Sequence, residues 1–213
     1  MSERLLVIDC ATPALSLALF DDAACIAATH RELGRGHAEA LLPAIADLPD
    51  GGRCDRILVD IGPGSFTGVR VAPPPATALG FAWGVPVQGY GCLDLIAAMA
   101  RAQPDLAGPR AIVMVGGHGE LFWALAGDPE KPLNVRSTPI AELAATLDAP
   151  LLVGSGAQLL AQSGAPGQPL PMLPDARDIL QLPPALRSLP PKPVYGRGAD
   201  AKPMATPARV AAH

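Results

Sequence analysis

The order in which apolar runs change period constrains this chain more than any single motif. RLLVID (Arg4 to Asp9) and LSLALF (Leu15 to Phe20) are short apolar runs separated by the turn-like Ala11-Thr12-Pro13, and Asp21-Asp22 then leads into CIAAT. This predicts three strands in meander order. From Gly36 to Leu48 the period becomes helical, with Ala38, Leu41, Leu42, Ile45 and Leu48 on one spacing, until Pro49-Asp50-Gly51-Gly52 ends it. RILVDI (Arg56 to Ile61) predicts a buried strand. A Gly-rich loop, a helix, the strand PVQGY (Pro86 to Tyr90) and a helix from Leu93 to Arg101 follow.

The second half repeats that order. AIVMVG (Ala111 to Gly116) and ELFWALA (Glu120 to Ala126) flank a glycine turn, LNVRS (Leu133 to Ser137) predicts the third strand, and IAELAATL (Ile140 to Leu147) predicts a helix. PLLVGSG (Pro150 to Gly156) then reads as a strand and Ala157 to Gln162 as a short helix. Three strands in meander and then alternating helix and strand, twice over, predict an α/β protein of two ribonuclease-H-like lobes. The expected boundaries are residues 1–104, 105–182 and a Pro-rich tail over 183–213. One helical island, Asp175 to Leu182, precedes the tail, which should be an extended strap or mobile.

At 213 residues, 49% hydrophobic and 17% charged, the chain can bury a substantial core. A net charge of -4 argues against a polyanion-binding surface acting alone, because phosphates are held by clustered Lys and Arg. Cys10, Cys25, Cys54 and Cys92 form no C-x-x-C and read as reduced core residues. MSERLLVID has no signal core, and no apolar run reaches the ~20 residues of a membrane span. The cytoplasm is the expected location.

The stretch DIGPGSFTGVRVAPPPATALGFAWG (Asp60 to Gly84) looks like an anion cradle but fits none of the usual ones. Five residues after Gly62 stands Thr67 and five after Gly64 stands Val69, with no lysine behind either, so a Walker loop is excluded. A dinucleotide fingerprint needs its third glycine at 67, and it stands at 68. A nucleophile elbow around Ser65 needs glycines where Pro63 and Thr67 stand. The four histidines, His30, His37, His118 and His213, include no pair on one helical face. His37, at the start of the first helix, reads as a capping or packing residue. Asp9, closing the first strand, has two readings: a carboxylate facing a hydrated magnesium ion near nucleotide phosphates, or a turn residue bonding nearby amides.

At GPGSFTGVR (Gly62 to Arg70) the sequence resembles the TsaB (YeaZ) family of tRNA threonylcarbamoyladenosine biosynthesis proteins. LLVIDCATPALSLALF, RGHAEALLPAI, GVPVQGYGCLDLIA, GELFWAL, VGSGA and VYGRGADAKP extend the resemblance over most of the chain. It implies the fold of the actin, sugar-kinase and Hsp70-like ATPase superfamily. It also implies a non-catalytic scaffold, a paralogue of the catalytic subunit TsaD, which it binds and supports together with the ATPase TsaE. The His-x-x-x-His pair by which TsaD holds its metal is absent here, in keeping with a pseudo-enzyme and no metal of its own. The implied interface, or degenerate phosphate loop, comprises Gly62, Pro63, Gly64, Ser65, Phe66, Thr67, Gly68 and Arg70, with His37 and Asp9. A second copy of the chain is the alternative partner, and tRNA is met only through the complex. No cofactor is implied for the chain itself, with weak or shared ATP or ADP with magnesium in the complex as the alternative. The rival functions are an ATPase or phosphotransferase of the same superfamily and a metal-dependent peptidase.

Two departures from the family stand out: a shorter connection between the first helix and RILVDI, and Pro73-Pro74-Pro75 in the helix that should meet the partner. Each interior proline costs roughly 3 kcal/mol, so three approach the ~5–15 kcal/mol stability of a domain. A regular helix from Thr67 to Trp83 is therefore excluded. The helix should restart near Pro73 to Pro75, where a first turn has no intrahelical use for the missing amides.

Overall fold

Two five-stranded mixed sheets of identical strand order organise the computed structural model, which describes residues 2–64, 71–106 and 108–194. In the first sheet β1 (Arg4–Asp9) is central, with β2 (Ala14–Asp21) antiparallel on one side and β4 (Arg56–Asp60) parallel on the other. β3 (Ala24–Glu32) and β5 (Val87–Tyr90) complete the order β3-β2-β1-β4-β5. The second sheet repeats this as β8-β7-β6-β9-β10, from β6 (Arg110–Gly117), β7 (Glu120–Leu125), β8 (Arg136–Pro139), β9 (Leu151–Val153) and β10 (Gln168–Leu170). The duplicated ribonuclease-H-like architecture expected from the sequence is present.

Because β1 is central, both of its faces are covered. Leu6 and Ile8 point into one core and Leu5 and Val7 into the other, so the strand reads as an unbroken apolar run. The Leu6 face is roofed by α1 (His37–Ala46), through Leu41, Ala44 and Ile45, and by α2 (Pro73–Trp83), through Ala76. The Leu5 face is roofed by α3 (Cys92–Arg101), through Leu95 and Ala98. The other side of α3, carrying Leu93, Ile96 and Ala100, packs on Ile112, Met114, Phe122 and Val153 of the second sheet. That sheet's far face is covered by α4 (Ile140–Thr146) and α5 (Ala157–Gln162).

The structure differs from the sequence reading in several places. The strand expected over Leu133 to Ser137 runs instead from Arg136 to Pro139, and β10 was not anticipated. The island over Asp175 to Leu182 is a 3-10 segment, Ala176–Gln181, capped by the Asp175 carboxylate accepting the Arg177 N–H at 2.9 Å. The sequence groups it with the second lobe, yet Ala176, Ile179 and Leu182 pack with Leu5, Val7, Phe20 and Leu58 of the first sheet. Of the cysteines, Cys10 and Cys92 are buried, Cys54 is half-buried and Cys25 is exposed.

The chain from Pro183 crosses to the first lobe. After a second 3-10 turn, Pro184–Arg187, Leu189 exchanges two backbone hydrogen bonds with Gly89 of β5, at 2.6 and 3.1 Å, and the Val194 N–H donates to the Ile61 carbonyl at 2.7 Å. The described part of the tail is thus an extended strap along the β5 edge; residues 195–213 lie outside the described residues.

The three prolines open α2 at its first three positions. The first backbone donor this helix uses is Ala76 N–H, to Ala72 O at 3.1 Å, so no proline removes a bond the helix needs. A residue before proline is biased out of the α region, yet Ala72 sits at φ −82°, ψ −44°. The pre-proline restriction is a bias, and the burial of Ala72, Pro73 and Ala76 outweighs it. The prolines also predict at most a short helical turn before them, and residues 65–70 there lie outside the described residues. Proline one position further on should be severe: Ala76→Pro is expected to lower unfolding free energy by at least about 3 kcal/mol. Pro74→Ala should change it by less than about 1 kcal/mol. Urea unfolding of both variants checks this contrast.

Candidate functional site

Two carboxylates meet at the carboxyl ends of the central parallel strands. The β1–β4 register sets Ile8 opposite Val59, which places Asp9 and Asp60 next in line on neighbouring strands. Asp9 is sealed from solvent. Its Oδ1 accepts the Ala11 N–H at 3.2 Å and its Oδ2 accepts the Tyr90 hydroxyl at 3.0 Å. Asp60, 1% exposed, accepts the Gly62 N–H at 2.8 Å through Oδ1, while its Oδ2 has no partner. Burial raises Asp9 to about 7, against the Tyr90 and Ala11 hydrogen bonds, which favour the ionised form. Burial and then the neighbouring Asp9 charge hold Asp60 well above the usual carboxylate range.

Of the two readings of Asp9, the turn residue matches this geometry. A carboxylate whose oxygens are both committed to protein donors and which has no accessible surface does not fit a magnesium-facing role. Asp60 and Tyr90 were not singled out from the sequence. The signal was present: Asp60 closes RILVD as Asp9 closes RLLVID, and like charges on adjacent buried strand ends must share or shed charge.

Beyond Asp60 the chain turns through Gly62, at φ +90°, a conformation that favours glycine, and a cis peptide joins it to Pro63. The Pro63 carbonyl accepts a hydrogen bond from the Cys92 thiol at 3.0 Å, tying this loop to the start of α3. Gly62 and Pro63 are therefore brought beside the carboxylates, with Gly64 following. Ser65, Phe66, Thr67, Gly68 and Arg70 lie outside the described residues. His37 lies elsewhere, as the first residue of α1, 8% exposed and packed as expected, but with its Nε2 unpartnered.

A different kind of surface lies on the outside of the α1–α2 layer. PPPATALGFAW carries no charged side chain, although Pro74, Thr77, Ala78, Phe81 and Ala82 all face solvent. Phe81 is 92% exposed, and Leu42 on α1 is 49% exposed. A helix that presents an uncharged outer face and an aromatic ring to water has the composition of an interface.

The sheet order, the loop and this face can be set against known proteins. A family profile described as TsaD: tRNA N6-adenosine threonylcarbamoyltransferase matches residues 29–171. The crystal structure of a Pseudomonas aeruginosa protein with similarity to peptidase YeaZ superposes with a TM-score of 0.71 at 28% identity, covering 92% of this chain and 100% of that one. The chain belongs to the TsaB (YeaZ) family. An uncharacterised Mycobacterium tuberculosis protein is 32% identical to this family member over 213 residues, 94% of each chain. The Escherichia coli tRNA threonylcarbamoyladenosine biosynthesis protein TsaB is 34% identical over 130 residues, 57% of this chain and 54% of its own length. Among the described residues, no group of three or more His, Cys, Asp or Glu is placed to hold a metal ion, and no helix is long and apolar enough to cross a membrane.

The carboxylate pair makes a signed prediction. Asp9 is raised above its unfolded value, so its stabilising contribution is full below about pH 4 and is lost as pH rises to about 7. Stability should therefore fall over that window by up to about 1.4 kcal/mol per pH unit for each proton concerned. Asp9→Asn should flatten the slope, gaining on the wild type between about pH 4 and pH 7. Urea midpoints across that range measure it, and parallel curves for the two proteins would refute it.

Proposed function

We propose that this chain is a non-catalytic scaffold subunit in the formation of N6-threonylcarbamoyladenosine in tRNA, binding a TsaD-type catalytic subunit and acting with a TsaE-type ATPase. One observation carries the reading: an eleven-residue surface helix without a charge that exposes Phe81 almost completely. Aromatic residues in such a patch supply much of the energy of protein interfaces once a partner removes them from water. Family membership supplies the kind of partner.

The carboxylate end of the sheets supports the non-catalytic half of the reading. Asp9 has no surface to offer a substrate. Cys92 is buried, and burial raises its thiol well above the usual range, so it is no nucleophile at neutral pH. With a net charge of -4, RNA would be reached through the assembled complex. A cytoplasmic location accords with that role.

Phe81→Asp tests it. The side chain is almost wholly exposed, so the isolated variant should fold with unchanged circular dichroism. Placing a charge at the centre of the patch should weaken binding to the TsaD-type protein of the same organism by at least about tenfold, read by calorimetry of the two purified proteins. Wild-type protein forming no complex at micromolar concentration, or a variant binding as well as wild type, would overturn the assignment. Ultracentrifugation of the chain alone separates the other occupant of this face, a second copy.

A further inference from the structure

A narrow cleft of ≈ 180 Å³ lies where α3, the start of β6, the chain after β7 and the two 3-10 segments meet, and it shares no residue with the carboxylate pair or with α2. Its lining carries unpaired charge of both signs. We propose that it binds a small zwitterion of the amino-acid class, held by its ammonium group at one end, by its carboxylate at the other and by an apolar side chain between them.

The negative end is Asp94, in the first turn of α3. It is 9% exposed, and one of its oxygens accepts the Leu133 N–H at 2.8 Å. Among the described residues no cation pairs with it. Burial raises it to about 6 against that hydrogen bond, as befits a carboxylate without a counter-ion. The positive end is made by Arg101 and Arg110. Arg101 stands seven residues further along α3, a rise of about 10 Å, and Arg110 opens β6. Their hydrogen bonds go to neutral backbone oxygens, from Arg101 Nη2 to Gln181 O at 3.4 Å and from Arg110 Nε to Gly108 O at 3.2 Å. Neither guanidinium forms an ion pair among the described residues.

The two remaining charged side chains of the lining, Asp128 and Lys131, pair with each other at 3.3 Å and offset one another. Asp94 and the two arginines are left uncompensated. A simple anion would satisfy the guanidinia and be repelled by Asp94, and a simple cation would meet the reverse; a ligand carrying both charges satisfies both ends. The wall between them is aliphatic, from Ala97, Leu133, Leu182 and Leu186, and suits an apolar side chain. The volume lies below the ~300–1,000 Å³ of clefts for larger ligands, so a nucleotide does not fit and a single amino acid does. Leu182 and Leu186 also pack on the first sheet, while Leu133 belongs to the second lobe, so an occupant touches both lobes at once.

Amide chemical shifts of the full chain, titrated with leucine, test this beside two half-ligands: isocaproate, which lacks the ammonium group, and leucinamide, which lacks the carboxylate. Leucine should give saturable shifts at Asp94, Arg110 and Leu133, and each half-ligand should bind at least about tenfold more weakly. Arg101→Ala should weaken leucine about tenfold, and Arg101 is exposed, so the variant keeps the fold. Asp94→Asn retains an acceptor for the Leu133 N–H; it should weaken leucine and tighten isocaproate, a reversal that a merely structural role would not produce. Leucine shifts that do not saturate, isocaproate binding as tightly as leucine, or leucine binding unchanged by Arg101→Ala would overturn the proposal.

Discussion

One helix belongs to two cores. α3 presents Leu95 and Ala98 to the first sheet and Leu93, Ile96 and Ala100 to the second, so the lobes are joined by a single apolar element that neither can release. Fully burying side chains of this size is worth about 1.5–3 kcal/mol each, and pulling the lobes apart would return one whole side of the helix to water. Its amino end is fixed as well, because the Cys92 thiol reaches back to the Pro63 carbonyl. In two-lobed proteins that work by closing on a ligand, the element between the lobes must slide or hinge. Here it is packed on both sides, which suits a body that presents surfaces more than one that opens and shuts.

That packing explains why a strained electrostatic arrangement persists beneath it. Two carboxylates on adjacent strand ends, one with an unpartnered oxygen, disfavour the charged state in a dry interior. The same groups organise the turn: Asp9 receives Ala11, Asp60 receives Gly62, and Tyr90 reaches from β5 across to Asp9 and, at 3.3 Å, to the Ile8 carbonyl. The pair thereby connects β1, β4, β5 and the glycine loop.

The strands of both lobes were legible because burial on two faces forces continuous apolar runs such as RLLVID and RILVD, and a period change is hard to mistake. What escaped was set by distance in sequence. Nothing local tells that Ala176 and Ile179 pack on Leu5 and Val7, since the 3-10 segment has the same apolar content whichever sheet it meets. β10, only three residues in a proline-rich stretch, is held by pairing with β9 more than by its own propensity. The prolines were read correctly as a helix start because their chemistry is local. At the candidate site, Asp9 was legible as a strand-ending acid, but its partner Asp60 and the sealing hydroxyl of Tyr90 become meaningful only when parallel pairing brings three strand ends together. In the sequence Phe81 is one apolar residue among others in PPPATALGFAW. Its exposure follows from phase: Ala76 and Gly80 are buried and Leu79 and Trp83 pack inward, leaving position 81 on the far side.

The strap from Pro183 to Val194 gives the fold a temporal asymmetry. The strands it and the 3-10 segment cover are made first, and their cover is made last. On a ribosome working from the amino end, Leu5, Val7, Phe20 and Leu58 wait through synthesis of the entire second lobe before Ala176, Ile179, Leu182 and Leu186 emerge to meet them. The β5 edge waits longer still, for Leu189. Until then the first lobe offers a sheet face only partly covered by α3 and an unpaired strand edge, the two features by which nascent chains find wrong partners or chaperones.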